Sequence, residues 1–363
     1  MFRRIILTAF LFLQGVGSPA TAADLTYYDA ESAFRQSGDL GTRMGHLIKL
    51  MEILRILNEP GYVPDGVFTF PEGVAQIPDQ RLRVQVEGAA NHNLERELLK
   101  AYGSLMALEL RLDGALEKEK AMLTKVERLQ AKVTLGLANP REVELASADT
   151  TMLQMETTRL RTILRRAGPL LQRTLGLPED PGVRFFDSDF MAPLGAEVSL
   201  RTPEYHIEEA GSIFGGARLI RFLARAARPS SGYRVTTGTP YFVFTGIGLT
   251  TGVVMRFNSA ENASTRISQM QERIEHNLTG IVYAEYLSLQ AAISRVKSAN
   301  ARLLIAGQQL ATLDTRLERG LITLEEWAAQ KKEFIDYRTG SLIAKLEYNI
   351  ARELFGDLTG TYL

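Results

Sequence analysis

The clearest regularity in the chain is a repeat of apolar positions in steps of four and three. Its members are Leu94, Leu98, Ala101, Leu105, Leu108, Leu112, Ala115, Met122, Val126, Leu129 and Val133. The repeat is interrupted at Glu119 and ends before Gly136. Because this spacing places the side chains along one side of an α-helix, it predicts a long helix that packs along a seam.

A second repeat of the same kind occupies residues 282–317. Apolar residues recur at Val282, Leu289, Val296, Leu303, Leu310 and Leu317, and the second seam position holds Ala292, Ala299, Ala306 and Leu313. The alanines indicate close approach between helices. This helix is predicted to begin near Asn258 and to run for about 60 residues, which is ~90 Å at ~1.5 Å per residue. A seam of that length needs partner helices along its whole extent.

Each long helix is predicted to end at a glycine and to reverse within a few residues. In LGLANPREV (Leu135–Val143), Asn139 suits the N-cap, Pro140 the first helical position and Glu142 the capping-box carboxylate.

The second reversal follows the same pattern. In RGLITLEEW (Arg319–Trp327), Thr323 and Glu326 take the capping roles. Gly136 and Gly320 each precede the cap by three residues, where a left-handed residue is favoured. Return helices are predicted over Pro140–Leu175 and Leu324–Phe355.

Segments with β-strand character precede both long helices. Tyr233–Phe257 is rich in β-branched and aromatic residues with glycine breaks, which predicts a β-hairpin. Val67–Gly88 is shorter, and in it Leu82, Val84 and Val86 alternate with polar or charged residues. A strand of a membrane barrel shows this alternation. An ordinary half-buried hairpin shows it as well, so both interpretations stay open.

The order of elements predicts an internal duplication. A further helix is expected before each β segment, over Ala30–Leu57 and roughly Thr202–Arg228. The unit of helix, hairpin, long helix, reversal and return helix thus occurs twice. The predicted repeats are residues 24–182 and 183–363.

The first 23 residues have the layout of a secretory signal peptide. Arg3 and Arg4 precede an apolar run, Ile5–Leu13, and small residues follow up to Ala23. A membrane anchor is the alternative, but the run is much shorter than the ~20 residues of a spanning helix. The mature protein is therefore expected to be exported and to enter a membrane, if at all, with strands.

Composition narrows the function further. The chain has 363 residues, no cysteine, and 42 basic against 42 acidic residues. This balance gives no global field for nucleic acid, and no thiol chemistry is available. Phosphate-binding, serine-hydrolase and zinc-protease motifs are missing, and the four histidines are scattered. No enzyme activity, cofactor or metal site is predicted.

The reversals and the order of elements resemble the TolC-like outer-membrane efflux family. LGLANPREV and RGLITLEEW resemble its two helix reversals, TLGLP and LFGDLTG the endings of its return helices, and RTPEYHIEEA (Arg201–Ala210) the start of a half-repeat. The first β segment and the opening helix depart from the usual pattern.

The resemblance implies a mainly α protein with a β-barrel portion. Three identical protomers would each give four strands to a shared barrel in the outer-membrane lipid and their long helices to a coiled-coil helical barrel in the periplasm. The protein would be a passive duct for tripartite efflux or type I secretion, connected through a periplasmic adaptor to an inner-membrane transporter. A periplasmic coiled-coil scaffold or adaptor without a barrel is the alternative.

The resemblance also gives the candidate site residues. The adaptor would dock on the reversals, at Gly136, Leu137, Asn139, Pro140, Gly320, Leu321 and Thr323. Glu142 and Glu326 are the candidate acids of the periplasmic aperture, where three copies would bring like charges together and raise their pKa. The alternative is that both are plain helix caps.

Overall fold

A computed structural model describes residues 24–37, 42–43, 45–47, 49–50, 80–194, 200–213, 240–244, 252–256 and 260–360. In chain order the elements are β1 (Asp24–Leu25), α1 (Tyr27–Gln36), α2 (Gln80–Thr134), α3 (Pro140–Thr174), β2 (Arg184–Phe185), α4 (Pro203–Ile213), β3 (Pro240–Phe244), β4 (Gly252–Arg256), α5 (Ala260–Leu310), α6 (Leu313–Glu318) and α7 (Leu324–Thr359). Within these residues, no helix has the apolar length that crossing a bilayer requires.

Four long helices form a wall in the order α3, α2, α7, α5. Helix α2 packs against α3 on one side and α7 on the other, and α7 packs against α5. The predicted seams are the packing faces, since Leu98 and Leu105 of α2 and Leu289 and Val296 of α5 are fully buried. Helices α3 and α5 are the two edges of this wall.

Among the described residues, three clusters of buried side chains lie along the wall. One lies among α1, α2, α3 and α7, the second between α5 and α7, and the third around the two reversals. At the end far from the reversals, the buried Arg96 of α2 joins three helices. Its guanidinium donates to the Leu354 carbonyl at 2.5 Å and to Glu285 at 3.3 Å.

The four described strands form two small sheets. β1 pairs with β2 in parallel. β3 and β4 form an antiparallel hairpin in which Phe242 lies opposite Val254. The hairpin predicted within Tyr233–Phe257 is therefore confirmed for residues 240–244 and 252–256.

The prediction of strand within Val67–Gly88 is wrong for residues 80–88, which form the first turns of α2. The alternation of Leu82, Val84 and Val86 is too short to compete with helix extension. Adding turns to an existing helix needs no new nucleus, and Gln80, Arg81 and Glu87 are compatible with helix. The rest of that segment, 67–79, lies outside the described residues.

Two predicted helices are interrupted. Helix α1 ends at Gln36, because the backbone of Ser37 is extended. The Ser37 hydroxyl donates to the carbonyls of Phe34 and Thr174 at 3.0 and 3.1 Å. The second long helix is interrupted at Ala311–Thr312, where the Thr312 hydroxyl donates to the Gln309 carbonyl at 3.3 Å. Such local side-chain bonds compete with the helical ladder.

Some predictions concern residues beyond those described. They are the signal peptide over 1–23 and the parts of the predicted helices over 51–57 and 214–228. The return helices are confirmed, with ends at Thr174 and Thr359 rather than Leu175 and Phe355.

Candidate functional site

The first reversal is a helix ending followed at once by a capped helix start. Gly136 has φ 72°, and the N–H groups of Gly136 and Leu137 donate to the carbonyls of Val133 and Lys132 at 2.9 and 2.8 Å. This is the Schellman arrangement, which needs a left-handed residue at the glycine position. Asn139 then accepts from the Arg141 N–H at 3.0 Å. Leu137 stays 74% exposed at the tip.

The second reversal has the same geometry. Gly320 has φ 68°, and Leu321 donates to the Arg316 carbonyl at 2.9 Å. The Thr323 hydroxyl accepts from the Glu326 N–H at 3.1 Å, and Glu326 accepts from the Thr323 N–H at 2.8 Å. Leu321 is 66% exposed. The first tip thus presents two exposed leucines, Leu135 and Leu137, on either side of its left-handed glycine, and the second tip presents Leu321.

The two reversals lie at the same end of the wall and share one apolar cluster. Met122, Leu129 and Ala146 come from the first helical hairpin, while Leu313, Ile322 and Trp327 come from the second. The Trp327 indole N–H donates to Asp314 at 2.7 Å, and the Arg128 guanidinium lies 4.8 Å from the indole ring centre.

Ion pairs between α2 and α7 extend this contact away from the tips. Lys125 pairs with Glu325, Lys118 with Asp336, and Glu117 with Arg338. Just beyond the Glu117–Arg338 pair, Gly114 lets the two helices approach closely, because a Cβ atom there would collide with the Thr339 hydroxyl. These pairs depend on the register between distant segments, which the heptad pattern alone does not give.

A row of exposed side chains runs along the free face of edge helix α3. We call it the α3 stripe, and its members are Leu145, Ala148, Met152, Met155, Arg159, Thr162 and Arg166. The spacing of three and four places them on one face. This face lies opposite Ala146 and Leu153, which pack against the wall. Leu145, Met152 and Met155 are about 70% exposed.

Edge helix α5 carries a matching row, the α5 stripe. Its members are Ala284, Leu287, Ala291, Ser294, Ser298, Ala301, Ile305 and Gln308, all exposed. They follow the same spacing on the face opposite Leu289 and Val296. Leu287 and Ile305 are 59% and 58% exposed. Both stripes have the spacing of a packing seam, and no helix of the described chain covers them.

Solved structures match this arrangement, whereas no family model and no curated protein matches the chain. The outer-membrane protein VceC of Vibrio cholerae matches at a TM-score of 0.50 with 11% identity, over 93% of this chain and 97% of VceC. The chain has the TolC-like fold.

Two further structures match less well. CusC, whose structures concern transmembrane channel formation, has a TM-score of 0.48 and 14% identity over 90% of this chain and 96% of CusC. The CmeC outer-membrane channel of Campylobacter jejuni has a TM-score of 0.44 and 10% identity over 91% of this chain and 84% of CmeC.

Within the TolC-like fold, both candidate aperture acids have a capping role. Glu142 accepts from the Asn139 N–H at 3.5 Å, as Glu326 does from Thr323 at a shorter distance. The backbone N–H and hydroxyl of Thr323 lower the pKa of Glu326. The higher pKa that we expect for these two acids depends on three copies lying side by side, and a single protomer does not test it.

Among the described residues, no three His, Asp or Glu side chains converge as metal ligands would. His206 is buried against Phe355, with ring centres 4.8 Å apart. It is a packed side chain between α4 and α7.

Proposed function

We propose that the chain is the subunit of an outer-membrane export duct that assembles head to tail into a ring. The observation that carries this proposal is the pair of uncovered stripes on the two edges of the helical wall. A wall with two unpaired edges leaves apolar surface in water, and a neighbouring copy is the simplest cover.

The two stripes differ in a way that favours head-to-tail contact. The α3 stripe holds large side chains such as Leu145, Met152 and Met155, and the α5 stripe is mostly alanine and serine. Large residues pack into spaces left by small ones. Contact between unlike edges repeats from copy to copy, and it closes into a ring when the rotation between copies divides a full turn evenly. Three copies, as in the TolC-like family, would enclose a bore lined by helices.

The ring accounts for the rest of the molecule. The β3–β4 hairpin, with its apolar Tyr241, Val243 and Val253, would join those of the other copies in a closed barrel in the outer membrane, where an unclosed sheet would leave unpaired edges. The long helices would extend into the periplasm. Such a duct is passive, and an inner-membrane transporter would supply the energy for efflux or type I secretion.

The reversals would face a periplasmic adaptor. Leu137 and Leu321 are exposed at adjoining tips that a shared apolar cluster holds in place. Exposed leucines on a rigid base suit docking against another apolar surface. The adaptor is proposed to contact Gly136, Leu137, Asn139, Pro140, Gly320, Leu321 and Thr323.

The aperture acids are tested by removing charge without removing the cap. Glutamine at position 142 or 326 can still accept the capping hydrogen bond. In planar bilayers, Glu142→Gln plus Glu326→Gln should weaken block by multivalent cations, whereas Glu144→Gln should not. Unchanged block in the double variant would leave both residues as caps only.

The ring is tested by cross-linking, for which a chain without cysteine is a clean background. Met155→Cys with Ile305→Cys should give covalent trimers with a short bis-maleimide, because the two positions lie on opposite edges of one wall. Each single variant has one thiol per chain and cannot extend beyond a dimer. Absence of trimers in the double variant would refute edge-to-edge closure.

Channel activity is tested separately. The mature protein should give stepwise conductance in planar bilayers and the mass of a trimer in detergent. A soluble protein without conductance would contradict the duct and favour the periplasmic scaffold.

A further inference from the structure

The second half of α3 is the most one-sided charged segment in the described chain. Residues 157–174 contain five arginines and no acidic residue, in a protein whose net charge is zero. Arg173 pairs with Glu179. The other four, Arg159, Arg161, Arg165 and Arg166, are exposed and have no ion pair to a described residue.

Edge helix α5 has a basic segment as well. Residues 286–310 contain Arg295, Lys297 and Arg302 and no acidic residue. Arg295 pairs with Glu347 at 2.8 Å. Lys297 and Arg302 are exposed and have no ion pair to a described residue.

Contacts across the wall place these two segments at the same height. Arg184 pairs with Asp113, and both line a cavity with Arg161 and Arg165, which puts this part of α3 level with Asp113 of α2. The next residue of α2, Gly114, lies against Thr339 of α7.

Asn300 of α5 lies at nearly the same height, because it accepts a hydrogen bond from Ser341 of α7 at 2.8 Å. Arg159 and Arg166 of α3 are thus near the heights of Arg302 and Lys297 of α5. Rotation about the axis of a ring keeps every residue at its height. A neighbouring copy would therefore bring Arg302, which lies next to the α5 stripe, beside Arg159. Lys297 lies about 140° away around α5 and faces the other flank.

Three nearby carboxylates are already paired. Asp113 pairs with Arg184, Glu117 with Arg338, and Glu347 with Arg295. Two acids remain nearby: Glu156 is exposed one turn before Arg159, and Glu333 accepts from Tyr337, on which the charge of Arg302 acts. Closing the joint would bring Arg302 beside Arg159 and Arg166, with Arg161 and Arg165 close by. The joint would therefore carry an excess of positive charge, and like charges oppose association.

We propose that each joint between copies binds a phosphate-type oxyanion, held by Arg159 and Arg166 of one copy and by Arg302 of the next. This inference rests on the proposed ring, since neither edge alone forms the site. Guanidinium groups hold phosphate or sulfate through paired, charge-assisted hydrogen bonds. Ser294 and Ser298 of the α5 stripe leave room for the arginine side chains. The bound anion offsets the repulsion and favours closure.

The test measures how anions affect ring stability in detergent. Native mass spectrometry would follow the trimer fraction of the full chain during dilution, in sodium phosphate and in sodium chloride of equal ionic strength. Phosphate should keep the trimer intact to greater dilution. Arg159→Gln or Arg166→Gln should raise the phosphate concentration needed for half of this effect by about tenfold, since each removes charged hydrogen bonds.

Two features make the result specific. In chloride, the glutamine variants should dissociate less than the wild type, because repulsion is reduced; a merely structural arginine would show the opposite. Arg141→Gln is the matched control, since Arg141 lies about five helical turns before Arg159 on the same side of α3. It stands among acidic residues, and its variant should keep the full phosphate response.

Each outcome separates this site from the ring. A trimer that responds equally to phosphate and chloride overturns the anion site and leaves the ring standing. If no trimer forms in any salt, the ring is refuted and the site with it. A response to phosphatidylglycerol in phosphate-free buffer, without a response to inorganic phosphate, would assign the oxyanion to a lipid headgroup.

Discussion

Truncation of Trp327 should loosen the end of the wall that carries the reversals. The indole is 4% exposed, lies in the cluster shared by both helical hairpins, and donates to Asp314 at 2.7 Å. Trp327→Ala should cost about 3–5 kcal/mol from lost packing. Trp327→Phe keeps a ring and loses the N–H donor, so it should cost about 1 kcal/mol plus a smaller packing loss.

These costs should appear locally. The cluster around Trp327 is separate from the one that holds α1, α2 and α7 together, and separate clusters can open independently. Amide hydrogen exchange over Leu313–Ala328 should accelerate by roughly a hundredfold or more in Trp327→Ala and about tenfold in Trp327→Phe, since 1.4 kcal/mol corresponds to a factor of ten. Exchange over Leu98–Leu105 should stay as in the wild type.

The control is Leu321→Ala, which truncates a side chain 66% exposed at the same reversal. It should leave exchange over Leu313–Ala328 nearly unchanged. Equal acceleration over both segments in Trp327→Ala would show that the wall opens as one unit and would refute the separation of the clusters.

Two further predictions concern the interior of the wall. Burial raises the pKa of Glu109 to about 7, so the folded state favours its protonated form. The associated stability should be lost as the pH rises from about 4.5 through 7. Over this range the thermal midpoint should fall less in Glu109→Gln than in the wild type, and an identical fall would contradict the assignment. Gly114→Ala should lower the thermal midpoint, because the added Cβ atom would collide with Thr339. Gly280→Ala should raise the midpoint slightly, because nothing lies within 4 Å of the added Cβ atom and alanine favours helix. Equal effects of the two variants would show that α2 and α7 are not in close contact at Gly114.

Much of the helical architecture was predictable because its signals are local. The seams, both capping boxes and both left-handed glycines follow from residues within a few positions of one another. The hairpin at 240–256 was also found, because aromatic and β-branched residues dominate it. Three alternating apolar residues at 82–86 were too short a signal, and the neighbouring helix extended through them.

The candidate site was only partly predictable. Exposed leucines at the tips follow from the reversals, but the pairing of Lys118 with Asp336 depends on how two hairpins align across more than 200 residues of sequence. The α5 stripe is visible in the sequence once its spacing is sought. It is hidden by the stronger valine and leucine seam on the same helix, since alanine and serine contribute little to a hydrophobic pattern.

The interruption at Ala311–Thr312 makes the two arms of the wall mechanically unequal. Helix α2 is one rod of 55 residues that reaches its reversal without interruption, whereas the path from α5 to Gly320 passes through a joint near its end. A sideways push on Leu137 would be carried along the whole of α2. The second tip is instead held sideways through α6, by the Trp327 indole bond to Asp314 and by the apolar cluster that both reversals share.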